Sequence, residues 1–191
     1  GTSSRPPSTS PIRPTRDQWA TITIDDVWEL AADPTALIEV NAGSGAATIN
    51  GVDTTTHGRM NVNSGEARLA GIVVLGWQAE VTFGTDAVLA LTEFGEVTDG
   101  ALFNGPGTVV VKEGAMVDFH EASILDVAVR NEGCMTIRDA DGGTTLATGF
   151  EQTSTGRLEI GLCEPELDGF DQLDVVGTAT LAGTLHLPVS Y

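Results

Sequence analysis

Residues 101–137 read ALFNGPGTVVVKEGAMVDFHEASILDVAVRNEGCMTI. Short runs rich in apolar and β-branched side chains occupy 108–111, 116–119, 125–129 and 135–137, the composition of β-strands. Asn104-Gly105, Glu113-Gly114 and Asn131-Glu132-Gly133 separate these runs. Each pair or triplet supplies residues that tolerate the tight, often left-handed backbone of a turn. Three to five residues of strand followed by such a break is too short for an ordinary hairpin fold, where longer strands meet at regular two-residue turns.

The same grammar extends in both directions. Toward the N-terminus it recurs at 47–49, 60–62, 67–69, 72–75, 80–83 and 88–91; toward the C-terminus at 158–160, 173–176, 179–181 and 184–187. NVNSGEARL, VVVKEGAMVDF, VRNEGCMTI and VVGTATLAGTL are degenerate echoes of one unit, apolar-x-apolar, a glycine step, then apolar-x-apolar. Two architectures accommodate many short strands: an antiparallel sandwich or barrel, and a solenoid in which one strand-turn unit stacks on the next. The echoes favour the solenoid, because a strand that turns a corner at glycine and continues along another face repeats in this way. The expectation is an all-β chain, a right-handed parallel β-helix over 19–191 with an extended N-terminal arm over 1–18. One short helical turn is expected within 27–40, broken by Pro34, and Trp19 and Trp28 are expected to cap the first coil.

Composition agrees. The 191 residues include 23 Gly and one Tyr, and the chain is rich in Thr and Val, a strand-and-turn composition. No apolar run approaches the roughly 20 residues that a membrane helix requires. The net charge is −18, which argues against nucleic acid and against insertion into or binding on anionic membranes. The first sixteen residues, GTSSRPPSTSPIRPTR, differ from the rest: they carry +3 and no acidic residue, which leaves −21 on residues 17–191. So acidic a body repels itself, and its melting temperature is expected to rise from low salt to millimolar calcium. Arg5, Ile12, Arg13 and Arg16 are the groups by which the arm could hold an acidic surface, that of a neighbouring subunit being the favoured one.

Residues 101–137 resemble the strand-glycine progression of bacterial extracellular right-handed β-helix proteins. LDGFDQLDVVGTATLAGTLHL (167–187) is similar to segments recurring in autotransporter-passenger-like surface proteins, through Gly169, Phe170, Asp171, Leu173, Val175, Gly177, Ala179, Leu181, Gly183 and Leu185. The two stretches cover about a third of the chain. The resemblance implies a location outside the cell or on its surface, and no shared catalytic residues, since solenoids host adhesins, filaments and polysaccharide-active enzymes alike.

Candidate chemistry is sparse. Cys134 and Cys163 would meet if one coil spanned the interval between them, because rungs about 4.8 Å apart suit the Cα spacing of a disulfide; a disulfide is expected on that alignment. His57, His120 and His186 are scattered, and His120-Glu121 lacks the second histidine of a zinc-protease helix. Asp139 and Asp141 open a sequence like a calcium loop but fail the EF-hand pattern at its fifth and twelfth positions, leaving at most a weak surface calcium site and no other cofactor. No G-x-S-x-G nucleophile elbow or glycine-rich phosphate loop occurs. Lys112, Arg130 and Arg138 lie near Asp118, Asp126 and Asp139 in sequence, the residue types a polysaccharide lyase or hydrolase would align along one face. The favoured expectation is a non-enzymatic structural protein of an extracellular or cell-surface assembly, with itself as partner and extracellular polysaccharide as a second. The alternative is a polysaccharide-active β-helix enzyme or carbohydrate-binding module.

Overall fold

The computed structural model describes residues 23–24, 28–29, 37–56, 58–77, 79–98, 100–120, 124–138, 144–162 and 171–189. They form a parallel β-solenoid. Every strand pairing is parallel, which excludes the antiparallel sandwich. Two coils are nearly continuous strands, Leu37–Thr56 and Arg59–Trp77, bent at corners where the pairing register shifts. Later coils break at their corners into shorter pieces such as Glu80–Phe83, Val88–Leu91 and Phe94–Val97.

Three faces result. The first stacks residues 37–40, 59–62, Glu80–Phe83, 102–104, 124–126, 144–147 and Gln172–Val175. The second runs from 46–50 through 66–69, Val88–Leu91, 108–111 and 128–131 to 149–152 and Ala179–Thr180. The third runs from 52–56 through 72–75, Phe94–Val97, Met116–His120, Cys134–Arg138 and Arg157–Ile160 to Thr184–His186. Residues 23–24 and 28–29 pair on the outer edge of Leu37–Thr56.

Alternation points one side chain of each pair inward, and equal positions of successive coils stack in columns. Met60, Val81, Phe103, Leu125 and Ala147 form one, buried throughout. Leu75, Val97, Phe119 and Ile137 form another on the third face. Burial of each large apolar side chain stabilises the stack by roughly 1.5–3 kcal/mol. A third column, Ile49, Leu69, Leu91 and Val111, changes character and continues as Asn131 and Gln152, both buried. Asn131 Nδ2 donates to the carbonyl of Arg157 at 2.9 Å, and Gln152 Nε2 donates to those of Ala182 and Thr184, the latter at 3.1 Å. These amides tie each coil to the start of the third face in the next. Asn131 therefore ends a strand and faces the core, where the sequence pattern reads as a turn.

Two sequence expectations change. Residues 28–29 and 37–40 are strand, not part of a helical turn, because Leu37–Val40 pairs in register with Arg59–Val62; residues 30–36 lie outside the described residues. Cys134 is a free thiol. Its neighbour in the next coil is Arg157, so the coil is shorter than the interval between the cysteines and the assumed alignment does not form. Cys163, the arm residues Arg5, Ile12, Arg13 and Arg16, Trp19, and Asp139 and Asp141 lie outside the described residues.

Candidate functional site: charged faces and an open coil

The outward positions of the second and third faces gather basic side chains into ion pairs, some within a coil and some across coils. Arg68 Nε lies 3.0 Å from Glu66, and Lys112 Nζ lies 3.9 Å from both Glu66 and Glu132. Arg130 Nε is 3.0 Å from Glu132 and 3.8 Å from Glu151. On the third face His120 faces Glu96 at 3.8 Å and Arg138 faces Asp118 at 3.6 Å. Of the cations singled out in sequence, Arg138 therefore meets Asp118, whereas Lys112 and Arg130 meet glutamates; Asp126 is exposed on the first face. Such surface pairs contribute about 0–1 kcal/mol each, and here they mainly relieve repulsion between stacked carboxylates. Beside them an outward row on the third face, Ile72, Phe94 and Met116, is apolar and exposed. Cys134 continues that row; partial burial pushes its thiol up, against the pull of Arg157, so it stays protonated at neutral pH and is a poor nucleophile.

At the C-terminal end, Glu159 Oε2 accepts hydrogen bonds from Arg157 Nη2 and His186 Nδ1, each at 2.9 Å. The His186 bond, then that of Arg157, holds Glu159 below its ordinary value of 4.5 against some desolvation. A carboxylate whose folded pKa is depressed stabilises the fold fully above its unfolded value, and that contribution disappears as pH falls through the folded value. The last coil should therefore loosen in acid: the protection factors of the 184–186 amides, exchange taken relative to the intrinsic rate at each pH, are expected to fall on going from pH 6 to pH 3. Glu159→Gln should exchange faster than wild type at pH 6 and converge with it at pH 3; an equal difference at both pH values would refute the assignment.

The same end is open. Leu158 is 4% exposed, yet Leu185, directly above it in register, is 54% exposed. Leu181 follows Thr180, the partner of Glu151, and Leu187 follows His186, the partner of Glu159. Both thus continue core columns, and they are 66% and 46% exposed. Gln152, Leu158, Leu181, Ala182, Gly183 and Leu185 line a concavity of about 160 Å³ there. Gln152 Oε1 is buried without a hydrogen-bond partner among the described residues. The repeat pattern foretells the inward leucines; only the three-dimensional stack shows that nothing described covers them.

Among the described residues no group of three or more His, Cys, Asp or Glu is placed to hold a metal ion, and no helix is long and apolar enough to cross a membrane. Comparison of the chain with protein-family models, curated proteins and solved structures gives no match.

Proposed function

We propose that the protein is a non-enzymatic structural component of an extracellular or cell-surface assembly, a solenoid that associates with further copies of itself into a filament, layer or adhesin scaffold. The observation that carries this reading is the open coil: Leu181, Leu185 and Leu187 continue core columns and yet face solvent. Uncovered coil ends expose apolar surface and unpaired strand edges, and both favour association. The apolar row Ile72, Phe94 and Met116 gives the same rod a lateral face for contact. The extracellular setting rests on the resemblance of 167–187 to bacterial surface proteins.

Sedimentation velocity of the 191-residue chain at physiological salt tests the reading. Species larger than the monomer, growing with protein concentration, are expected; a single monomeric boundary at every concentration would overturn it. A polysaccharide-active enzyme is the second reading, favoured by Arg130 lying between Glu132 and Glu151. It requires depolymerisation of an acidic polysaccharide that Arg130→Ala abolishes.

A further inference from the structure

We propose that the open last coil receives the N-terminal end of a second copy of this chain, so that copies join head to tail. The inference rests on the self-association reading and names the partner surface. Three observations carry it. The apolar residues left uncovered, Leu181, Leu185 and Leu187, stand in core columns, so their natural cover is another coil of the same cross-section. The opposite end of the solenoid offers strand segments on two of the same faces: residues 23–24 and 28–29 lie on the second and third faces, parallel to the coil they edge. A copy stacked in the same direction continues parallel pairing on the faces where 179–180 and 184–186 have, among the described residues, a strand on one side only. The charges match as well. Residues 1–16 carry +3 with no acidic residue, while residues 151–191 carry −6.

The two ends of a parallel stack are different surfaces, so the contact is heterologous and does not close on itself; repeated, it builds a filament. The basic segment steers the encounter and the apolar columns hold it. Opposite-end attraction also sets polarity, because tail-to-tail contact would bring two acidic ends together.

Complementation between two full-length variants tests this, read by light scattering after size-exclusion chromatography. Leu181→Asp/Leu185→Asp alters only exposed side chains of the last coil and leaves the N-terminal end intact. Arg13→Glu/Arg16→Glu alters only the N-terminal segment and leaves the last coil intact. Each alone should associate at least about tenfold more weakly than wild type, a difference of about 1.4 kcal/mol. Mixed, they should form a complex that stops at the dimer, since each supplies the end the other lacks. Circular dichroism identical to wild type confirms that both are folded. If wild type polymerises and either variant alone does so equally, or if the mixture remains monomeric, the head-to-tail contact is overturned while self-association stands. If wild type is itself monomeric at every concentration, both readings fall.

Discussion

Phe119→Ala is expected to lower the free energy of unfolding by about 3–5 kcal/mol, the range for removing a large aromatic side chain from a packed core. Phe119 is 1% exposed and stands mid-column, in register with Val97 on one side and Ile137 on the other. Coils on both sides hold their backbones by hydrogen bonds that do not depend on this side chain, so they cannot collapse into the space it leaves. In a solenoid each coil touches only its neighbours, and a cavity in the middle weakens the link between two halves of the stack. Urea unfolding should show the loss directly. Met116→Ala, three residues earlier on the outward side of the same strand, is the control and should shift stability by no more than about 0.5 kcal/mol. Equal effects of the two substitutions would mean that the inward and outward assignments are wrong.

Gly133→Ala should destabilise the fold by about 1–3 kcal/mol or more, as overpacking does, and more than Gly114→Ala. The two glycines serve the same corner for different reasons. Gly114 has φ of +85° and open space around the position a Cβ would take, so alanine there pays only the left-handed backbone penalty of about 1–2 kcal/mol. Gly133 has no such dihedral; a Cβ would run into the backbone carbonyls of Lys112 and Ala115 in the coil beneath. Gly156 and Gly183 meet backbone carbonyls of the preceding coil in the same way, which makes this corner a stack of residues without room for a side chain. Thermal melts of the two variants decide the order, and a Gly114→Ala variant less stable than Gly133→Ala would contradict it.

The strands at 108–111, 116–119 and 135–137 were legible in the sequence because each is a short run of apolar and β-branched side chains bounded by a glycine-bearing turn. Glycine as the corner residue was legible too, but not its two causes, since a close approach between coils depends on which residues stack. The same gap explains Asn131. An Asn-x-Gly triplet reads as a turn, and only the register that carries it above Val111 and below Gln152 reveals an amide facing the core. The cysteine alignment failed for a related reason: coil length sets which residues become neighbours, and the repeat is too degenerate to fix it. The paired charges show the limit for the site. Arg130 meets Glu132 through local sequence but meets Glu151 only through stacking.

Oriented X-ray diffraction from the assembled 191-residue protein tests the central claim most directly. Head-to-tail stacking keeps the strands perpendicular to the filament and continues the rungs along its axis, so a reflection at about 4.8 Å should lie on the meridian. Filaments whose 4.8 Å reflection lies on the equator, with rods packed across the growth axis, would contradict the account.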